Sequence, residues 1–449
     1  MKKNFKFIHT ADLHLGSILH IGKKINNSLN ELLKSAANNA FKKLCDTAIE
    51  ENVDFILVSG DIYDREARSV KGNRFFIEQA KRLEDKGIGL YAIGGNHDPI
   101  KNNSELFTLP SNVHIFSSEK AEIKEVTDIN GNVYSRIVGQ SYRENWDSRK
   151  MFENYKIEQK ESFNIALLHT QLDGSNNYVP CTAVQLKEID NIAYWALGHI
   201  HKCSIVNEKE PFIAYPGIPQ GRDFGEEGIG GAFIVEVVNN SLKDIKFIPL
   251  SEVIWKKINL NIEESEIDIK NISDLEKLIL SKGKQILMQI ELPLGIESYT
   301  HNITEGIKGF VVQWDINGRG EIYSMLRDKV DETSEYLIES LNERLLAGNK
   351  FVLTKAVNIN IGKEIKDLDN LKEQNAVFKE ISAFSKEVPN KEVLREELIK
   401  RLGSIWEVTE EYEDFNVKKL QLDDELLKEI INQAEQLAVD MILERSEDI

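Results

Sequence analysis

Val53-Asp54-Phe55-Ile56-Leu57-Val58-Ser59-Gly60-Asp61-Ile62-Tyr63-Asp64 decides how this chain folds. Phe55–Val58 is apolar without alternation, the pattern of a strand buried on both faces. The run stops at Ser59-Gly60, and two carboxylates follow. Working outward, Asn30–Glu50 has helical spacing, with Leu33, Ala37, Ala40, Leu44 and Ala48 on one face, and Phe5–His9 is a further short strand. Downstream, Asn73–Asp85 reads as a helix closed by Gly87, and Gly89–Ile93 as a strand ending at Gly94-Gly95. This βαβαβ rhythm implies a largely parallel sheet with crossover helices.

Beyond Asn112 shorter strands dominate, at Arg136–Val138, Ile165–Leu168, Ala193–Leu197 and Ala232–Val237, while Arg143–Glu161 reads as a helix with a loop. A boundary near Pro249–Ser251 divides residues 1–250 from a second block at 251–362. That block holds a strand at Val253–Leu260, a helix near Ser273–Leu280, a strand at Gln285–Glu291 and a helix near Asp328–Leu346 closed by Gly348. Residues 363–449 read as a helical tail: Asp367–Lys386, Lys391–Arg401 and Asp423–Arg445. The last of these puts Leu426, Leu427, Ile430, Ile431, Ala434, Leu437, Ala438 and Met441 on one broad face, a core face or a partner-docking one.

The 449 residues carry a net charge of -18. Residues 365–449 hold 22 acidic and 12 basic side chains, a net of -10, which leaves -8 for the first 364. Acidity of this kind argues against tight binding of nucleic acid by the chain alone. No stretch approaches the ~18 apolar residues of a membrane helix. Charge and His9 interrupt the N-terminus, so it does not read as a signal peptide. Three cysteines, Cys45, Cys181 and Cys203, lie outside any CxxC pairing and point to a reducing, cytoplasmic setting. Cys203, two residues past His201, reads as a plain thiol.

Five polar clusters each follow an apolar run, where open α/β sheets bind ligands. They are Asp12-Leu13-His14, Gly60-Asp61-Ile62-Tyr63-Asp64, Gly95-Asn96-His97-Asp98, Leu168-His169 and Gly198-His199-Ile200-His201. Their chemistry suits a two-metal site, in which bridged cations lower the pKa of a hydroxide and neutralise a phosphate under attack. Asp12 and His14, two apart, face the same way on an extended segment. Asp61 is the natural bridging carboxylate; Asn96 offers a neutral oxygen, and His169, His199 and His201 offer nitrogen. Imidazole with carboxylate suits Mn, Fe or Zn. Gly60, Gly94, Gly95 and Gly198 precede the ligands, where a Cβ would obstruct the chain. His97 is the candidate acid for the leaving oxygen, with Asp98 to orient it. Asp64 is either a residue that orients a ligand or an ordinary turn residue. Arg222 is either a phosphate clamp or a loop arginine paired to Glu226 or Glu227. His20, His114 and His301 read as surface or structural.

The five motifs, in this order over roughly Phe5 to Lys202, resemble the D-x-H, G-D, G-N-H-[DE], H and G-H-x-H series of the calcineurin-like metallophosphoesterase superfamily. His9-Thr10-Ala11-Asp12-Leu13-His14-Leu15-Gly16, Gly60–Asp64 and Tyr215-Pro216-Gly217-Ile218-Pro219-Gln220-Gly221-Arg222 are similar to SbcD-type DNA repair exonucleases, nearest to their bacterial YhaO branch. Asp223 departs from a histidine that often follows the Gly-Arg pair there. The resemblance implies an α/β fold: a β-sandwich of two mixed sheets flanked by helices, a small α+β cap and a helical C-terminal tail. It implies one metal on Asp12, His14, Asp61 and His201, another on Asp61, Asn96, His169 and His199, and His97 as a catalytic histidine that is not a ligand. It further implies two divalent ions, with Mn2+ expected, a DNA substrate, an SMC-like SbcC-type ATPase partner docked by the tail, and a possible homodimer to which the Asn30–Glu50 helix contributes.

Two other functions compete with this nuclease reading. A phosphatase or nucleotide phosphodiesterase would keep the site, but Gly60–Glu66 and Gly95–Asp98 depart from the G-D-x-V-D-R-G and G-N-H-E of protein phosphatases. A scaffold without catalysis is disfavoured, because no ligand position is substituted. The acidic run Glu410–Asp414 reads as a solvated loop.

Overall fold

A computed structural model describes residues 4–19, 21, 26–64, 70–100, 108–174, 177–286, 290–293, 297–298, 303, 306–346, 348, 350–364, 376–402 and 424–447. They fall into two compact units. One comprises Met1–Ile258, Leu280–Gln313 and Ser340–Ala356; the other comprises Asn259–Ile279, Trp314–Glu339 and Val357–Ile449.

The first unit begins with β1 (Phe5–Thr10), α1 (Asn27–Glu50), β2 (Phe55–Ser59), α2 (Val70–Glu84), β3 (Gly89–Ile93) and β4 (Val113–Ile115). These four strands pair in parallel, as the βαβαβ reading requires. A second sheet takes β5 (Glu122–Thr127), β6 (Val133–Gly139), β7 (Phe163–His169), β8 (Tyr194–Gly198), β9 (Ser204–Asn207) and β10 (Phe212–Tyr215), in the order β5-β6-β7-β8-β10-β9. The chain then returns to the first sheet as β11 (Gly231–Val238) and β12 (Ser241–Pro249), antiparallel beside β1, giving β12-β11-β1-β2-β3-β4. Both sheets are therefore mixed, and the parallel expectation holds only for the β1–β4 part of the first.

Aromatic rings fill the space between the sheets. Phe7 stacks on Phe55 at 5.3 Å and meets Tyr194 of the other sheet edge-on at 5.3 Å. His9 is the polar tie in this layer. Its Nδ1 lies 2.9 Å from Tyr194 Oη and its Nε2 3.1 Å from the Leu197 carbonyl. Outside the first sheet, Ala40, Phe41 and Leu44 of α1 and Phe76 and Leu83 of α2 pack on Ile8, Ile56, Val58 and Leu90. Outside the second, Tyr155 stacks on Trp195 at 5.8 Å. Asn26 caps α1, its side chain accepting from Leu29 N at 2.8 Å.

The expected helix within Arg143–Glu161 is absent; only a single 3₁₀ turn forms at Met151–Asn154. Polar side chains and backbone fix the loop instead. Arg149 bonds Asp147 and the Ser118 carbonyl, and Val179 N donates to Asp147 O at 2.7 Å.

Strands β13 (Val253–Asn261), β14 (Gly309–Gly320) and β15 (Phe351–Lys363) form a third sheet in that order. Helices α4 (Ile272–Ile286), α5 (Tyr323–Leu326) and α6 (Val330–Leu345) lie in the same stretch. The strand expected at Gln285–Glu291 does not form where it can be followed. Residues 285–286 close α4, 290–291 lie outside any strand, and 287–289 lie outside the described residues.

The second unit ends in α7 (Ala376–Glu387), α8 (Glu392–Leu402) and α9 (Asp424–Glu447). Val388, Leu427 and Ile431 form a small core joined by Leu394 and Leu398. The broad face expected on α9 divides: Leu427 and Ile431 are buried, whereas Leu437 and Met441 are exposed. Arg319 Nη1 donates to Asp440 at 2.6 Å and to the Lys363 carbonyl at 3.0 Å. His20, His301 and the Glu410–Asp414 run lie outside the described residues. Among the described residues no helix is long and apolar enough to cross a membrane.

Candidate metal centre

The five polar clusters meet at the carboxyl ends of β1, β2, β3, β7 and β8 in the first unit. The segment after β1 is held along the end of β2, with Asp12 N donating to Gly60 O and His14 N to Asp61 O, both at 3.0 Å. It is not extended. Asp12 (φ 53°), His14 (φ 42°), Asp61 (φ 54°) and His199 (φ 93°) all adopt left-handed backbone, which is costly for a residue with a Cβ. Asp12 and His14 thus converge through two left-handed turns rather than through strand alternation.

Two groups of donors result. In one, His14 Nε2 lies 3.4 Å from His201 Nε2, and Asp12 Oδ1 lies 3.9 Å from that same His201 nitrogen. In the other, Asn96 Oδ1 lies 2.9 Å from His169 Nε2 and 3.0 Å from His199 Nδ1. Asp61 Oδ2 belongs to both, 3.8 Å from His14 Nε2 and 3.6 Å from His169 Nε2. All seven side chains are buried or nearly so. Asp12, His14 and His201 are close enough to share one ion, as are Asp12, Asp61 and His169.

These residues fit bound cations on three grounds. First, His169 and His201 spend their outer nitrogens on acceptors: Nδ1 of His169 on the Ser59 carbonyl at 2.8 Å, and Nδ1 of His201 on Glu226 Oε1 at 2.6 Å. Each outer nitrogen therefore carries the proton, and the lone pair points inward. Second, His14 Nδ1 is buried with no hydrogen-bond partner, so the polar commitment of that ring lies at its inward Nε2. Third, the cradle has no spare volume. A Cβ on Gly95 would fall on Asp61 Oδ1 and the His169 ring, and one on Gly60 (φ 100°) would fall on His169 Nδ1.

The electrostatics agree. Burial, with the neighbouring Asp61, pushes the Asp12 carboxyl up to about 7 against the pull of His201. Burial also raises Asp61 and draws His169 and His199 down to about 3. A dication reverses this logic, favouring carboxylate and neutral imidazole together.

Beside the two groups stands His97. Its N–H donates to Asp61 Oδ1 at 2.9 Å, and its Nδ1 lies 2.9 Å from Asp64 Oδ1. Asp64 also accepts from Ser17 Oγ at 2.7 Å. Burial lowers the pKa of His97, but the bond to Asp64 and the charges of Asp61 and Asp64 outweigh it, and the net shift is upward. The expectation for Asp98 fails. Its carboxylate accepts from the backbone N–H groups of Ile62 (2.8 Å), Tyr63 (3.2 Å) and Gly95 (2.8 Å), so it braces the two motif loops and does not orient His97. Asp64 takes that place.

Arg222 follows the paired reading. Its Nη2 donates to Glu226 Oε1 at 2.8 Å, its backbone N to Glu226 Oε2 at 2.7 Å, and its Nη1 lies 3.5 Å from Asp64 Oδ2. Glu226 also bonds His201, a role that sequence spacing did not suggest. His114 is apart from the site, beside Glu122 at 3.4 Å. All three cysteines are free thiols, and burial pushes Cys203 up to about 12.

The sequence pattern of the calcineurin-like phosphoesterase family matches residues 5–203, the stretch that builds this site. YhaO of Bacillus subtilis, an uncharacterized metallophosphoesterase, is 34% identical over 290 residues, 62% of this chain and 67% of its own length. The chain belongs to the calcineurin-like phosphoesterase family. Within that family, the DNA double-strand break repair protein Mre11 of Methanocaldococcus jannaschii is 26% identical over 287 residues, 60% of this chain and 73% of that one. SbcD, the nuclease component of SbcCD in Staphylococcus epidermidis, is 26% identical over 272 residues, 55% of this chain and 69% of that one. A metal-dependent phosphoesterase with Mre11 and SbcD among its relatives follows.

Proposed function

We propose that this phosphoesterase hydrolyses phosphodiester bonds of DNA in repair. It would hold one divalent ion on Asp12, His14, Asp61 and His201, and another on Asp61, Asn96, His169 and His199. The observation that carries the reading is Asp61 Oδ2, within 4 Å of a histidine nitrogen of each group. The mixed imidazole, carboxylate and amide donors favour Mn2+ over a hard-cation cage. Two bound dications supply a hydroxide at neutral pH and offset the charge of the phosphate. The protein's own part is placement and proton supply. Asp64 holds the His97 ring and its proton, and no other hydrogen bond of the described residues engages the His97 Nε2. That nitrogen can protonate the leaving oxygen. Arg222, committed to Glu226 and Asp64, supports the site's walls in place of clamping a phosphate.

The names of the Mre11 and SbcD relatives support DNA as the substrate. The reading includes an SbcC-type ATPase as partner, the 251–362 block as a cap, the 363–449 tail as its docking region, and a cytoplasmic location in keeping with three free thiols. The net charge of -18 assigns part of the DNA grip to that partner. The test is cleavage of linear duplex, single-stranded and hairpin DNA by the purified chain with Mn2+, with and without the ATPase. Mn2+-dependent cleavage is expected. Hydrolysis of small phosphodiesters with no DNA cleavage under either condition would overturn the nuclease reading in favour of a phosphodiesterase.

A further inference from the structure

Glu226 lies 25 residues beyond His201 and outside every motif of the site, yet it makes the shortest hydrogen bond to any candidate ligand, 2.6 Å from Oε1 to His201 Nδ1. The same Oε1 accepts from Arg222 Nη2 at 2.8 Å, and Oε2 accepts from the Arg222 backbone N at 2.7 Å. Its side chain is 8% exposed, so it works in a low-dielectric surrounding where charge-assisted bonds are strong. Arg222 then turns its third guanidinium nitrogen, Nη1, to 3.5 Å from Asp64, the residue that bonds His97. A continuous path of side chains, His201–Glu226–Arg222–Asp64–His97, therefore runs from one candidate ligand group to the candidate acid.

We infer that Glu226 is a positioning residue: it fixes the tautomer and ring orientation of His201, and Arg222 locks it in place. The inference rests on the proposed dimetal reading. A histidine ligand whose outer nitrogen loses its carboxylate loses both the fixed tautomer and basicity, and such changes cost roughly 10–100-fold in metal affinity. The effect is specific to the Asp12–His14–His201 group. The hydrogen bonds of Asn96, His169 and His199 go instead to one another, to Ser59 O, to Asn145 and to Asp12.

The test is titration of the full chain with Mn2+ alone by calorimetry, which needs no substrate. The wild type is expected to take up two ions. Glu226→Gln is expected to weaken one of them by about 10–100-fold and leave the other within threefold. Arg222→Gln should weaken the same ion by a smaller factor. Because the two act as one unit, the double variant should be no weaker than Glu226→Gln. Glu227→Gln, which alters a neighbour that accepts from Lys257 N, should bind as wild type. If Glu226→Gln gives no cooperative melt, Glu226→Asp keeps the charge, withdraws it from His201, and should weaken the same ion. A folded Glu226 variant that binds both ions as tightly as wild type overturns the inference, as does a double variant whose loss is the product of the single losses. A wild type that binds two Mn2+ but cleaves no DNA sinks the nuclease reading and leaves this inference standing. A wild type that binds none sinks both.

Discussion

His97 Nδ1 lies 2.9 Å from Asp64 Oδ1, while the carboxylate adjacent to it in sequence, Asp98, is turned back onto the backbone of Gly95, Ile62 and Tyr63. The two acidic residues therefore support the site in different ways, and their removal should be distinguishable. His97→Ala should retain both metal ions and lose roughly 10²–10⁴-fold in turnover. Asp64→Asn removes the bond that raises the His97 pKa, so the protonated acid should be lost at lower pH. The alkaline limb of its pH–rate profile should move to lower pH than in wild type. An unmoved limb would remove Asp64 from that role.

Asp98→Asn should instead damage the loops. Three backbone donors lose a carboxylate acceptor at a buried position, and burial with Asp61 nearby already pushes the Asp98 carboxyl up to about 7. The expected result is a lowered melting temperature with a pH–rate profile of wild-type shape. A shifted profile with unchanged stability would show that Asp98 acts on His97 after all.

Gly95→Ala tests the tightness of the cradle. The added Cβ would meet Asp61 Oδ1 and the His169 ring, which belong to one ligand group and to the bridge. A cost of about 1–3 kcal/mol in stability is expected, with metal content falling below two ions per chain. Full metal content in the variant would show that the loop can yield.

Stability should depend on pH through His9. Burial draws it down to about 3, partly offset by the Leu197 carbonyl, whereas an unfolded histidine titrates near ~6.5. Between these values the unfolded chain binds the extra proton. The contribution is therefore complete above about pH 6.5 and lost as pH falls toward 3. Denaturant unfolding in chelator should show His9→Gln with a slope against pH that is shallower by up to ~1.4 kcal/mol per unit between pH 6 and 4. An unchanged slope would mean that His9 is not buried as a neutral ring.

In the second unit, Arg319 and Asp440 are 9% and 13% exposed and bonded at 2.6 Å. Arg319→Met leaves Asp440 without that partner and should loosen α9 by about 3 kcal/mol. Limited proteolysis should then cut within 424–447 faster than in wild type, with equal rates as the contrary outcome.

Much of the site was legible because each motif is local: a buried strand, a glycine turn, then a ligand. β2 with Gly60-Asp61 and β8 with Gly198-His199 follow that pattern directly. What spacing could not reveal is how the chain bends between motifs. Asp12 and His14 converge through left-handed backbone, which no periodicity encodes. The pairing of His201 with Glu226 depends on how the loop after β10 returns to the site. Asp98 looked like the partner of His97 by adjacency, but its side chain folds back three residues to Gly95. β14 and β15 escaped notice because glycine, asparagine and charged residues interrupt their apolar pattern, and pairing with neighbouring strands decides them.

The left-handed conformation of Asp12 and Asp61 has a practical consequence for capturing uncut substrate. Asparagine tolerates that region far better than alanine, whose Cβ suffers there without any compensating local bond. A substrate-trapping form of this enzyme is therefore best made as Asp12→Asn or Asp61→Asn, which removes the charge needed for turnover but keeps the backbone that shapes the binding surface.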